Sequence, residues 1–265
     1  MNMWWRSVWP PVVAVLLFLG AWQLAVVWLG IESWILPSPA GIAQEAVSGA
    51  PGLVGHTMAT LRLTLSGFAI GTAVGLALAL LLHLVPWLRT ALYPLLVISQ
   101  NVPTIALAPL LMIWFGFGLL PKIIVITLVC FFPVAVAALD GLSRSDVMMM
   151  NYMKMAGAGR WQTFTKLELP HALPALFSGL RIAATYSVMG AVIGEWIGSN
   201  KGIGYYMLLQ RSAYRTDRVF VAIAIIVLLS LIMVGLIAML EKRLVRWGHN
   251  NRDDHDRGSR QEVSV

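Results

Sequence analysis

The stretch AGAGRWQTFTKLELPHALP, residues 156–174, is a polar and cationic insertion between two long hydrophobic runs. Within residues 151–167, apolar side chains recur at steps of three and four, which predicts a helix with one mostly apolar face. That face consists of Met153, Gly157, Trp161, Phe164 and Leu167. We expect this helix to be about 25 Å long and to stop at Pro170 and Pro174, where the chain turns into the next hydrophobic run.

The composition of the chain is that of a membrane protein. Of 265 residues, 58% are hydrophobic and 12% are charged, whereas a soluble domain carries about 25% charged residues. Runs of about 20 apolar residues are long enough to cross the hydrocarbon core. Six such runs lie approximately at residues 9–30, 59–83, 91–115, 121–140, 173–197 and 219–240. The sequence therefore predicts an all-α, polytopic membrane protein whose residues 1–248 form one transmembrane domain of about six helices.

The distribution of cations predicts how the chain is oriented. Most Lys and Arg residues lie on one side of the predicted spans, and the positive-inside rule places that side, with both termini, in the cytoplasm. The last external loop is more basic than the rule prefers, with Lys201, Arg211, Arg215 and Arg218. The net charge of +7 does not indicate nucleic-acid binding, because the cations form no stripe with interleaved aromatic residues.

The ends and the single cysteine indicate no metal or disulfide site. Residues 249–265 are charged and almost without apolar residues, which predicts a disordered cytoplasmic tail. His249 and His255 in this tail are expected to be solvated rather than metal ligands. Cys130, in an apolar run, is expected to be a small packing residue.

Residues 141–172, here called the loop segment, form the longest cytoplasmic loop in this topology. Its amphipathic helix is compatible with two environments. The apolar face would suit the lipid headgroup boundary, and it would equally suit a groove in a partner protein. The residue pattern alone does not choose between them.

The spacing in the loop segment resembles the EAA loop of ABC-importer permeases. That motif reads Glu-Ala-Ala, three residues, Gly, nine residues, Ile, any residue, Leu-Pro. Gly157, Leu167, Leu169 and Pro170 occupy the spaced positions, whereas residues 151–153 are Asn-Tyr-Met in place of Glu-Ala-Ala. The resemblance implies a fold like that of a type I ABC importer and a loop helix that couples to a cytoplasmic ATPase subunit.

This resemblance implies a set of partners and of contact residues. The partners would be a second copy of the chain, two ABC ATPase subunits, an extracytoplasmic solute-binding protein and the lipid bilayer of a bacterial cytoplasmic membrane. Trp161 would be an aromatic anchor in the ATPase, or would lie at the headgroup boundary. The ATPase-coupling residues would be Met153, Ala156, Gly157, Arg160, Trp161, Phe164, Leu167, Leu169 and Pro170.

Other segments narrow the resemblance to a solute class. LPSP at residues 36–39 and QNVPTIALAPLLMIWFGFGLLPK at residues 100–122 resemble permeases for nitrate, sulfonate, taurine and bicarbonate. VCFFPVAVAALDGL at residues 129–142 and RSAYRTDRVFVAI at residues 211–223 most resemble permeases for the pyrimidine precursor of thiamine. We therefore expect a pyrimidine solute, with sulfonate-type anions as the alternative.

The sequence disfavours three other classes of protein, namely ATPases, intramembrane hydrolases and secondary transporters. It has no G-x-x-x-x-G-K-[ST] loop, so we expect the chain to be neither an ATPase nor an enzyme, and to need no cofactor. An intramembrane hydrolase is disfavoured, because GLSRS at residues 141–145 lacks the last glycine of G-x-S-x-G. A secondary transporter is disfavoured, because the two halves of the chain do not visibly match.

Four polar residues are candidates for the translocation path. Gln100, Asn101 and Thr104 lie beside Pro103 in the middle of the third predicted span, where they would bind a solute or join neighbouring helices. Glu195 is the only acid that lies inside a predicted span rather than at its last residue. Its position near the outer end makes an interfacial residue that faces an external partner the alternative.

Some polar and small residues have a structural interpretation. Gly67, Gly71 and Gly75 form a row on one helix face, which predicts close approach of another helix, within the chain or across a dimer. His83 and Arg181 lie near predicted interfaces, where we expect them to snorkel.

Overall fold

A computed structural model describes residues 3–245 of the chain, with side chains from residue 9 onward. Within that range every regular element is helical, which confirms the predicted all-α fold. The helices are α1 (Met3–Trp28), α2 (Pro39–Ser48), α3 (Ala50–Leu84), α4 (Pro86–Ser99), α5 (Thr104–Phe115), α6 (Leu119–Ser143), α7 (Val147–Met155), α8 (Arg160–Thr163), a π-helical turn (Phe164–Glu168), α9 (Leu169–Gly198), α10 (Ile203–Ser212) and α11 (Thr216–Leu244). The predicted tail, with His249 and His255, lies outside the described residues.

Five continuous helical stretches of the described chain are long and apolar enough to cross a membrane. These are Trp9–Trp28, Ala50–Leu84, Leu119–Ser143, Arg160–Gly198 and Thr216–Leu244. The pair α4 and α5 would make a sixth span, bent by 99° at its break. The observed range of five to six spans agrees with the prediction of about six.

The third predicted span is broken in the structure. Residues 91–115 do not form a continuous helix, because α4 ends at Ser99 and α5 begins only at Thr104. Pro103 has no N–H to donate to a helical carbonyl, and its ring disfavours the helical conformation of the preceding residue. Pro103 itself is extended, with ψ 106°. The break therefore exposes polar groups at the middle of the pair.

The bundle is centred on α6 and α9, against which α3 packs. Gly67 and Gly71 face α6 so closely that an added Cβ would lie 2.5 Å from Ile126 and 2.7 Å from the Cβ of Cys130. Gly75 meets the carbonyl oxygen of Phe131 in the same way, at 2.6 Å. The glycine row therefore packs within the chain. Cys130 is fully buried in this contact, as expected of a packing residue.

The loop segment does not contain the single helix that periodicity predicted. α7 ends at Met155, and Gly157 follows with φ +73°, a left-handed conformation that terminates helices and that glycine adopts readily. The prediction of one helix over residues 151–167 is therefore wrong, because periodicity cannot detect a break at a residue that also fits the apolar face.

Pro170 and Pro174 do not stop the second half of the loop segment. A continuous helix runs from Arg160 to Gly198. Its π-helical turn, in which the N–H of Leu169 bonds to the carbonyl of Phe164, lies just before Pro170. The wider π turn accommodates the ring of Pro170, which has no N–H to donate within the helix.

The bundle has two distinguishable ends. The loop end contains the loop segment and the last residues of α3, and the α10 end contains α2, α10 and the first residues of α3 and α11. At the α10 end, Glu45 of α2 pairs with Arg215 at 3.3 Å and with Arg218 at 2.6 Å. Arg215 and Arg218, two of the basic residues that make the last predicted external loop more basic than the positive-inside rule prefers, thus form ion pairs within the chain.

Candidate functional site

A cavity of about 480 Å³ opens beside the break between α4 and α5. Gln100, Asn101 and Thr104 all line it, so the structure brings three of the four candidate path residues together. The opposite wall comes from α6 and α9, with Phe131, Phe132, Tyr186, Met189 and Ile193. The helix break places the amides at the cavity, because the residues between α4 and α5 lie outside the helical ladders.

The chemistry of this cavity is that of a neutral, aromatic and hydrogen-bonding site. Among the described residues that line it, none has a charged side chain. The amide nitrogen of Asn101 donates to the carbonyl of Val97 at 3.1 Å, which orients its amide oxygen as an acceptor. The aromatic rings offer faces for stacking. The cavity therefore offers hydrogen-bonding groups and aromatic faces, and its lining supplies no counter-charge for an ion.

The structure places Glu195 apart from this cavity. Glu195 lies at the α10 end and is 2% exposed, so it faces neither the cavity nor solvent. Its Oε1 accepts a hydrogen bond from the Thr60 hydroxyl at 2.8 Å, and its Oε2 accepts one from the N–H of Gly204 at 2.7 Å. Lys122 is also buried nearby and donates to Ser199 Oγ at 3.0 Å. The carboxylate is thus held within the protein, joining three helices.

The predicted coupling residues of the loop segment are divided between two environments. Met153, Phe164, Leu167 and Pro170 are half-buried against the bundle, so much of the predicted surface faces inward. Trp161 is 74% exposed and stacks on Phe164, with ring centroids 5.8 Å apart. The remaining predicted coupling residues are exposed, namely Ala156, Gly157, Arg160 and Leu169.

α7 carries an exposed apolar face that sequence reasoning missed. Met148, Tyr152 and Met155 follow one another at steps of four and three and are 77%, 67% and 86% exposed. The N-terminus of α7 is capped by Asp146, whose Oδ1 accepts from the N–H of Met148 at 2.8 Å. Methionine-rich faces adapt to grooves in partner proteins. The run VMMMNYMKM at residues 147–155 was the signal that could have revealed it.

Two residues that we expected to snorkel contact acidic side chains instead, His83 through a hydrogen bond and Arg181 through an ion pair. His83 Nε2 lies 2.8 Å from Glu168 Oε2, and both side chains are largely buried. Arg181 Nη1 lies 2.9 Å from Glu241 Oε2, which links α9 to α11. The His83–Glu168 contact connects α3 to the loop segment across 85 residues of sequence.

Comparison with known proteins gives a family match over most of the chain. Residues 71–246 match the family described as "Binding-protein-dependent transport system inner membrane component". The riboflavin transport system permease protein of Chloroflexus aurantiacus is 36% identical over 249 residues, which cover 91% of this chain and 92% of that protein. The formylaminopyrimidine transport permease protein of Halalkalibacterium halodurans is 34% identical over 238 residues, covering 89% of this chain and 95% of that protein.

A third relative has a name that points to another kind of solute. The putative aliphatic sulfonates transport permease protein of Bacillus subtilis is 30% identical over 251 residues, covering 92% of this chain and 88% of that protein. Among solved structures, an inward-facing form of the MetNI methionine ABC transporter matches with a TM-score of 0.61 at 22% identity. That match covers 72% of this chain and 93% of the other chain, and it supports the fold alone.

Proposed function

Because the chain belongs to the family of binding-protein-dependent transport system inner membrane components and is a permease subunit of an ABC transporter, we propose that it forms the import pathway for a thiamine pyrimidine precursor. It is a multi-pass membrane protein and a transport subunit rather than an enzyme. Both termini and the loop segment lie in the cytoplasm in this proposal, as the cation distribution predicts. The α10 end then faces the solute-binding protein.

The uncharged cavity is the observation that carries the choice of solute. A sulfonate or nitrate ion in it would lose hydration without gaining a counter-ion, which is costly. A pyrimidine is neutral, and its amino group and ring nitrogens match the amides of Gln100 and Asn101 and the hydroxyl of Thr104. The relatives at 36% and 34% identity are named for heteroaromatic solutes. The relative at 30% supports sulfonate-type anions as the alternative.

We propose a homodimer, which the exposure of the cavity supports. Gln100 and Asn101 are exposed in the isolated chain, and Tyr186 and Met189, on the opposite wall, are 46% and 62% exposed. Amide groups that faced lipid in mid-membrane would be unfavourable. A second copy that covered this face would close the cavity between two subunits. Alternating access would then be a change in how the two copies pack, biased by partners on both sides.

We place the ATPase contact on the exposed face of α7 together with Trp161. The family implies an ATPase partner, and an apolar helix face exposed at the loop end has the form of a helix that inserts into a groove. Arg160 and Trp161 would contact the rim of that groove. The half-buried residues Phe164 and Leu167 would instead link the contact to the bundle.

Uptake by cells tests the proposed solute. Cells that express the chain with its ATPase and its solute-binding protein would receive labelled formylaminopyrimidine or hydroxymethylpyrimidine, with taurine and an alkanesulfonate as competitors. We expect uptake that requires the chain and is insensitive to the sulfonates. Gln100→Ala should reduce it, whereas Gln44→Ala, an exposed glutamine on α2 outside the cavity, should not. Sulfonate-sensitive uptake would favour the alternative solute. A secondary transporter, the other class considered, gains no support from the relatives described above.

A further inference from the structure

Contacts at both ends of α3 tie it to the helix of residues 160–198, and we propose that these two helices act as one lever between the ATPase and α10. The inference rests on the proposed function, because the ATPase supplies the force that the lever would carry. The positioning residues would be His83 and Glu168 at the loop end and Thr60 and Glu195 at the α10 end. None of the four lines the 480 Å³ cavity, so their role would be separate from solute contact.

At the loop end, three residues of one helix face contact the last two residues of α3. Glu168 pairs with His83 at 2.8 Å. The ring of Phe164 lies 6.2 Å from the His83 ring, centroid to centroid. Arg160 Nη2 donates to the carbonyl of Leu84 at 3.4 Å. The loop segment therefore cannot shift along α3 without breaking two hydrogen bonds, Glu168 to His83 and Arg160 to Leu84.

The π-helical turn explains how these three residues stay aligned. Arg160, Phe164 and Glu168 are spaced by four, and in a regular α-helix each step of four drifts about 40° around the axis. A π turn contains more residues per turn, so it offsets this drift between positions 164 and 168. The Leu-Pro sequence that favours the π turn thus also directs Glu168 toward His83.

At the α10 end, side chains of both helices bind the first N–H groups of α10. The N–H groups of residues 202–204 donate in order to His56 Nδ1 at 3.1 Å, Thr60 Oγ1 at 2.8 Å and Glu195 Oε2 at 2.7 Å. Thr60 also donates to Glu195 Oε1 at 2.8 Å, which ties α3 directly to α9. The first N–H groups of a helix have no partner within the helix. Here three of them are hydrogen-bonded only while α3 and α9 keep their positions relative to each other.

Glycine is required where α10 meets this carboxylate. Gly202 has φ +118°, and a Cβ there would lie 2.2 Å from the Glu195 carboxyl carbon. At Gly204 an added Cβ would lie 2.7 Å from the carbonyl oxygen of Val192. The start of α10 is thus seated directly on α9, and it would follow any displacement of the lever.

The two sets of contacts lie far apart on continuous helices. From Thr60 to His83, α3 spans about 35 Å without an internal proline. The partner helix is unbroken from Arg160 to Gly198. Two helices joined at both ends cannot slip past each other. A displacement of the loop segment would therefore move both helices together and displace the start of α10.

Hydrogen exchange tests the lever in the full-length chain in lipid nanodiscs, without any partner. The measured quantity is the exchange rate of the amides of residues 202–204. We expect Glu168→Ala to raise this rate about fivefold, although the substitution is remote, because α3 would then slip against α9 and open the caps more often. Asp140→Ala is the matched control, since it removes an exposed ion pair with Arg144 at the same end. Exchange that is unchanged in Glu168→Ala would overturn the proposal.

The coupling ratio is a second readout that a merely structural role would not change. In proteoliposomes with the ATPase and the binding protein, Glu168→Ala and Thr60→Val should hydrolyse ATP normally but import formylaminopyrimidine about tenfold less per ATP. The double variant should import no less solute per ATP than either single variant, because each substitution interrupts the same path of transmission. The exchange His83→Glu with Glu168→His should restore coupling. Additive losses, or no rescue, would contradict the lever.

The two proposals fail in different ways. If wild-type proteoliposomes show no ATP-driven uptake of the pyrimidine, the proposed solute is wrong, and hydrogen exchange still tests the lever. If the wild type couples hydrolysis to uptake and neither Glu168→Ala nor Thr60→Val lowers the ratio, the lever alone is wrong.

Discussion

At Gly71, α3 and α6 approach so closely that the side chain of Cys130 fills the space where a Cβ would otherwise stand. The same sequence spacing would have suited a dimer seam. What decides between the two is the facing helix, which contributes Ile126, Cys130 and Val134 to the same buried cluster. The close approach could be predicted from the glycine spacing alone, but the identity of the partner helix could not, because any apolar span offers a similar surface.

Gly71→Ala should therefore destabilise the protein, because its Cβ would overlap a fully buried neighbour. Gly55→Ala on the same helix is the control, since nothing lies within 4 Å of a Cβ there. We expect a loss of about 1–3 kcal/mol for Gly71→Ala relative to Gly55→Ala, and a small gain for Gly55→Ala from helix propensity. Thermal unfolding in detergent measures both. Equal melting temperatures would contradict the packing described for α3 and α6.

Among the elements, the loop segment shows where sequence periodicity fails. The apolar steps across Gly157 predicted one helix, but the left-handed conformation of Gly157 divides it, and α7 and α8 then present different faces. The Leu-Pro sequence predicted a stop, but a π-helical turn carries the helix through it. Both errors arise because glycine and proline act on local backbone geometry that a pattern of side-chain polarity does not contain.

Tyr152→Glu should weaken the attachment of the ATPase, because it places a charge on the exposed apolar face of α7. Tyr214→Glu is a matched control, since Tyr214 is 74% exposed at the opposite end of the bundle. A central interface residue contributes about 2 kcal/mol or more, which corresponds to about a 30-fold loss of affinity. Co-purification and titration of the ATPase measure the effect. Equal retention by both variants would show that α7 is not the docking face.

Trp161→Glu distinguishes the two halves of the loop segment. If Trp161 contacts the rim of the ATPase groove, this variant should insert normally and lose less affinity than Tyr152→Glu. A larger loss for Trp161→Glu would move the centre of the contact from α7 to α8.

For the whole molecule, the sequence predicted the class of fold and singled out three polar residues that line the cavity, but it did not predict the geometry of either. Gln100, Asn101 and Thr104 stood out as polar residues beside a proline in an apolar run, and they do meet at one cavity. The 99° bend that brings them there goes with the packing of α5 against α6 and against α9, and the contact with α9 is distant in sequence. Glu195 stood out as an acid in an apolar run, yet its buried partners Thr60 and Gly204 could be identified only from the fold.

The proposed dimer makes a prediction about the face that carries the cavity. Met189→Cys should cross-link two copies of the chain through a short bifunctional reagent, because Met189 is 62% exposed beside the cavity. Leu231→Cys, 63% exposed on α11 and outside the cavity, should not. The native Cys130 is buried and should remain unreactive in both. Cross-linking through position 231 alone would place the dimer on another face.

The most direct test is uptake of labelled formylaminopyrimidine into proteoliposomes that contain this chain, its ATPase and its solute-binding protein. Uptake should require ATP and all three components, should persist without an ion gradient, and should be unaffected by excess taurine or alkanesulfonate. Uptake that an ion gradient drives without ATP, or that taurine abolishes, would contradict the account.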